Sequence, residues 1–148
     1  MLNEDYKEIL QNLLRNKTKF LVVGAYAMAM YGYPRATGDF DIWVEASEEN
    51  SEKCYKSLLQ FGAPAKDIVR DTFAKEDIIF QIGIAPRRID VITSITGVQF
   101  KEAYKNRQIV KIEGLDIPFL SLKDLIKNKG ATGRDKDKID VKNLKKLK

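Results

Sequence analysis

Asp39-Phe40-Asp41-Ile42-Trp43-Val44 is the segment of this sequence best suited to chemistry. On a β-strand, residues i and i+2 point the same way. Asp39 and Asp41 would then share one face while Phe40, Ile42 and Val44 turn to the core. Two neighbouring carboxylates repel, and without a cation one of them tends to stay protonated. A hard divalent cation such as Mg²⁺ or Mn²⁺ relieves that repulsion and prefers oxygen ligands. Asp-x-Asp alone is a weak signal, because it is common on solvated strands and in turns.

Two further features strengthen it. Arg88-Ile89-Asp90-Val91-Ile92-Thr93 places a third acid among apolar neighbours, with Ile89 and Val91 on the opposite face. An acid inside such a strand is uncommon unless it is paired or ligating. An ion pair with Arg87 or Arg88 is the plainer explanation of Asp90. Upstream, Val22-Val23-Gly24-Ala25 reads as a strand ending in small residues where a helix begins. Such a junction offers backbone N–H groups to an anion, although small residues at turns also serve packing.

The order Gly24-Ala25, Asp39-x-Asp41 and a separate strand bearing Asp90 resembles the three-part signature of the DNA polymerase β-like nucleotidyltransferases. Within them it is similar to a bacterial and archaeal branch of AbiEii-like and antitoxin-type proteins. The segments that carry this likeness are Tyr31-Gly32-Tyr33-Pro34-Arg35-Ala36-Thr37-Gly38-Asp39-Phe40-Asp41, Phe80-Gln81-Ile82-Gly83 and Arg88-Ile89-Asp90. Lys129, followed by Gly133-Arg134-Asp135-Lys136-Asp137 and Asp140, completes it, and residues 20–143 are covered. The chain departs from the pattern at Ala25, where the superfamily usually has Ser or Gly, so no hydroxyl is offered there.

The resemblance implies a metal-dependent transfer of an NMP from an NTP, with Asp39, Asp41 and Asp90 as catalytic and metal-binding residues. Asp39 and Asp41 would bind both of two metals, and Asp90 the metal that activates the nucleophile. It also implies nucleotide contacts from Gly24, Ala25, Arg35, Thr37, Arg88, Lys129 and Arg134. The acceptor stays open: a protein, an RNA end or a small molecule, with a partner protein or a homodimer supplying more surface. A non-catalytic, antitoxin-like module that binds a nucleotide or a partner is the alternative, since fold never proves turnover.

Bulk properties agree with this chemistry. The chain has no histidine, which removes His-based acid–base catalysis, His metal sites and the usual hydrolase triads. A length of 148 residues suits one domain. The lone Cys54 excludes an intrachain disulfide and reads as buried and inert. Glu4 and Asp5 near the start are unlike a signal peptide. The uncharged stretch 20–33 is interrupted by Gly24 and Gly32 and is too short to span a membrane. A cytoplasmic protein without membrane association is expected. The net charge of +5 comes from residues 121–148, where ten Lys/Arg face four Asp. That tail could attract nucleic acid or be a solvated helix face. It has no aromatic residue for base stacking, which disfavours the first.

The elements needed to position these residues follow from periodicity. Helices are predicted over 4–15 with Asn3 as cap, over 25–31, from a Ser47 cap to about 61, and over 97–107. A fifth follows the capping-box pattern Ser121-Leu122-Lys123-Asp124 until a break at 130–133. A sixth covers 134–147 with Ile139, Leu144 and Leu147 inward. Strands are predicted over 20–23, 39–44, 78–82 and 88–93. A hairpin over 108–112 and 115–117 turns at Glu113-Gly114, a loop is predicted over 32–38, and residues 62–76 read as irregular. The expected fold is α+β: a nucleotidyltransferase fold with a mixed β-sheet flanked by helices.

Overall fold

The computed structural model describes residues 2–34, 39–84 and 87–147. Helix α1, Glu4–Arg15, begins where the Asn3 side chain accepts the Tyr6 N–H, and Glu4 and Asp5 occupy its first turn. Both features favour a helix start. Its apolar stripe of Tyr6, Ile9, Leu10 and Leu13 is buried. Strand β1, Phe20–Val23, is buried throughout and runs directly into helix α2, Gly24–Met30. Strand β2 is Asp39–Val44. Helix α3, Glu48–Phe61, starts at Ser47, whose hydroxyl accepts the Asn50 N–H, and ends at left-handed Gly62.

Strands β3, Ile79–Ile82, and β4, Arg88–Ile92, are antiparallel neighbours. Helix α4 is confined to Phe100–Lys105, shorter than the predicted 97–107. Gly97 has φ +79°, and Ile95 and Val98 form an isolated bridge, so a turn occupies the expected first helical turn. Strands β5, Gln108–Ile112, and β6, Leu115–Phe119, form the predicted hairpin, with Glu113 and Gly114 both at positive φ. The second strand extends two residues past the predicted end, because Pro118 costs the ladder only its own N–H.

The six strands of the described residues join one sheet in the order β3-β4-β2-β1-β6-β5. The β2–β4 and β1–β6 pairs are parallel and the other three antiparallel. This is the mixed sheet with flanking helices that the sequence predicts. On one face, Tyr6 of α1 stacks on Phe40 at a ring separation of 4.4 Å, and Tyr26 of α2 meets both rings edge-on. On the other face, Phe100 of α4 covers Trp43. Cys54 is fully buried, and burial pushes its thiol up.

The C-terminal helices pack on the same side as α4. Helix α5, Leu122–Ala131, is capped by Ser121, and its Asn128 side chain donates to the Thr96 carbonyl. Gly130 lies within it, so the predicted break begins only at Thr132 and is made by Gly133, at φ +73°. Helix α6, Asp135–Lys145, corrects the predicted inward face. Leu144 is buried as expected, but Ile139 and Leu147 are 62% and 46% exposed. The buried stripe is instead Asp137, Asp140 and Leu144, spaced i, i+3 and i+7. A search for apolar periodicity passes over a stripe whose buried members are charged and paired. No helix among the described residues is long and apolar enough to cross a membrane.

Candidate metal centre

The sheet register brings the three acids together. Parallel pairing of β2 with β4 sets Asp41 opposite Asp90 and Asp39 opposite Arg88. Since i and i+2 share a face, all four side chains point to the same side. One carboxylate oxygen from each of Asp39, Asp41 and Asp90 lies within 4.8 Å of the other two. Oxygens around one octahedral Mg²⁺ lie roughly 2.9–4.2 Å apart, so a bound ion would draw the three acids somewhat closer. Phe40, Ile42, Ile89 and Val91 are buried beneath the opposite face and fix both strands.

Gly24 completes the floor of the site. Antiparallel pairing sets Val23 opposite Asp41, so the β1–α2 junction abuts that carboxylate. Gly24 has φ +68°, and a Cβ placed on it would overlap the Asp41 carboxylate. Glycine is required here both for the backbone conformation and for the space. Ala25 follows in the first turn of α2.

Asp41 carries the electrostatic load. Burial, then the charges of Asp90 and Asp39, push its carboxyl up to about 6, against the opposing pull of Arg88 and Lys129. Three carboxylates this close repel, and an all-oxygen donor set is what a hard divalent cation prefers. The residues fit a hard divalent ion.

Arg88 supplies part of that positive charge. Its Nη2 donates to Asp39 Oδ2 at 2.7 Å and to Asp90 Oδ2 at 3.3 Å, and its Nε donates to Asp90 Oδ1 at 3.0 Å. These bonds, that to Asp90 foremost, raise the guanidinium's own pKa. The ion pair anticipated for Asp90 therefore exists, and it forms inside the acidic cluster. Lys129 acts on Asp41 through its charge and pairs with Asp137 and Asp140. Arg134 is largely exposed and donates through Nε to Asp137 at 2.8 Å. Arg35 and Thr37 lie outside the described residues.

Asp137 and Asp140 have no role that the sequence alone assigns. Their i, i+3 spacing eight and eleven positions beyond Lys129 was the available signal. Nor does the sequence show that one arginine bridges two acids of the cluster.

The fold and this acidic cluster define a nucleotidyltransferase-like protein. The chain belongs to the family described as nucleotidyltransferase of unknown function (DUF6036), whose profile matches residues 1–147. Membership implies an NTP substrate. A crystal structure from Thermotoga maritima, of a protein described as a candidate nucleotidyltransferase, superimposes with a TM-score of 0.60 at 16% identity. The match covers 100% of this chain and 97% of the other, and it supports the fold. No curated protein shows a significant sequence match.

Proposed function

We propose that this single domain transfers an NMP from an NTP to an acceptor hydroxyl or other nucleophile, using Mg²⁺ or Mn²⁺ held by Asp39, Asp41 and Asp90. The observation that carries the reading is the convergence of three carboxylates, from two strands, on a single face beside Gly24. In the reaction the nucleophile attacks the α-phosphorus in line, a new bond to phosphorus forms, and the bond to pyrophosphate breaks. Divalent cations there would lower the pKa of the nucleophile and stabilise the leaving oxygens.

The chain's own groups divide the remaining work. Asp39 and Asp41 anchor the nucleotide-bearing side, and Asp90 orients the nucleophile. Arg88 and Lys129 are cations suited to phosphate, and Arg pairs with it bidentately. Arg35, Thr37 and Arg134 belong to the same proposed set. Gly24 and Ala25 can offer only backbone N–H groups. The acceptor is a protein, an RNA end or a small molecule, and a partner protein or second copy would complete its surface. We read the chain further as a cytoplasmic member of a toxin–antitoxin pair, a reading supported only by its sequence resemblance to AbiEii-like and antitoxin-type proteins.

One observation favours a second reading. Arg88 already satisfies Asp39 and Asp90, as it would in a non-catalytic module that keeps the fold and binds a nucleotide or partner. Calorimetry with Mn²⁺ and a non-hydrolysable NTP analogue separates the two. Enzyme chemistry expects each ligand to tighten the other, because the metal bridges carboxylates and phosphates. Analogue binding that is equally tight with and without Mn²⁺ would favour the non-catalytic module.

A further inference from the structure

The C-terminal helix α6 carries two buried acids that meet a lysine of α5. Asp137 and Asp140 are 1% and 0% exposed. Buried carboxylates are costly unless they are paired. Both converge on one ammonium: Lys129 Nζ lies 3.2 Å from Asp137 Oδ1 and 3.2 Å from Asp140 Oδ2. The two acids grip the ammonium from two positions one helical turn apart on α6. Asp137 is itself fixed, accepting the Thr132 hydroxyl at 2.6 Å and Arg134 Nε at 2.8 Å. The Lys129 side chain is only 12% exposed.

This α5–α6 unit is also tied to the segment that leads toward the carboxylates of β2. Tyr31 donates its hydroxyl to the Leu120 carbonyl at 2.8 Å, and Tyr33 donates to the Asn143 carbonyl of α6 at 2.9 Å. Lys129 thus belongs to a unit that the two tyrosines tie to the stretch of chain preceding β2, the strand of Asp39 and Asp41.

We propose that Asp137 and Asp140 are positioning residues that hold the Lys129 ammonium, charged and pre-oriented, for the triphosphate of the bound nucleotide. The inference rests on the nucleotidyl-transfer reading given above. A free lysine stem has several rotatable bonds, and fixing it before the ligand arrives removes an ordering cost from binding. In this account α6 is part of the site, and only its outward lysines are a solvated surface.

A double-mutant cycle on ATP affinity tests it, with Mn²⁺ affinity measured alongside. Asp140→Asn is expected to weaken ATP binding by about tenfold, as expected for loss of a charge-assisted contact, while changing Mn²⁺ affinity less than about twofold. In a Lys129→Met background, Asp140→Asn should have no further effect on ATP, because its target is gone. Lys129→Arg should recover part of the ATP affinity. Should Asp140→Asn fail to fold, Asp137→Asn takes its place, with the whole cycle run in an Arg134→Gln background so that its other cation is absent. Independent, multiplying losses from Lys129→Met and Asp140→Asn would overturn the positioning role, as would equal losses of Mn²⁺ and ATP. Wild-type protein that binds Mn²⁺ and ATP while Asp140→Asn changes neither would overturn the positioning role alone. Wild-type protein that binds no ATP would overturn the nucleotidyl-transfer reading, and this proposal with it.

Discussion

Replacing Gly24 by alanine separates backbone strain from damage to the site. Gly24 has φ +68°, and its missing Cβ leaves room for the Asp41 carboxylate. Forcing alanine into a left-handed conformation costs about 1–2 kcal/mol. For a chain of this size that lowers the melting temperature by roughly 3–8 °C. The new methyl would also force the Asp41 oxygen back by about 1 Å, well beyond the roughly 0.2 Å tolerance of a metal–ligand bond. Gly62 provides the control. It too is left-handed, at φ +109°, but a Cβ there meets nothing within 4 Å. Gly62→Ala should lose comparable stability and keep its affinity for Mn²⁺. Gly24→Ala should lose stability and weaken Mn²⁺ binding by about tenfold or more. Differential scanning calorimetry and Mn²⁺ titration on both variants give the answer. Gly24→Ala that melts early yet binds Mn²⁺ like wild type would refute the idea that Gly24 seats Asp41 for a metal.

Other expectations follow from the same geometry. Asp41 ionises near pH 6 in the fold and near its ordinary 3.8 when unfolded, so its contribution to metal-free stability falls as pH rises between those values. Asp41→Asn lacks that loss, so its stability relative to wild type should rise from pH 4 to pH 7. Urea unfolding at both pH values checks this, and a constant difference would count against it. Asp90→Asn should abolish transfer but only weaken NTP binding, because Asp39 and Asp41 remain; normal turnover would remove Asp90 from the catalytic set. Arg88→Gln removes the guanidinium that bonds Asp39 and Asp90. Mn²⁺ alone should then bind more tightly while the KM for NTP rises, and weaker Mn²⁺ binding would mean that Arg88 helps to build the metal site.

Much of this fold was legible because strands and helices declare themselves by period and by cap. Asn3, Ser47 and Ser121 each accept the N–H that their spacing predicted. The meeting of Asp39, Asp41 and Asp90 was legible too, since acids among β-branched and aromatic neighbours are conspicuous. The register that sets Asp41 against Asp90 was not, because pairing between strands 49 positions apart depends on tertiary packing. The inward face of α6 was misread because Asp137 and Asp140 are buried by virtue of Lys129, on another helix. Charge compensation between elements leaves no hydropathy signal. Arg88 was seen as a phosphate ligand or an Asp90 partner; its reach to Asp39 required the parallel β2–β4 pairing.

Incubation of the purified chain with Mg²⁺, a cell lysate and each NTP labelled on the α-phosphate tests the central claim most directly. The account predicts that label enters a discrete acceptor, that pyrophosphate is released, and that Asp41→Asn abolishes both. Labelling that is equally strong with Asp41→Asn, or no labelling by the wild type with any of the four nucleotides, would contradict it.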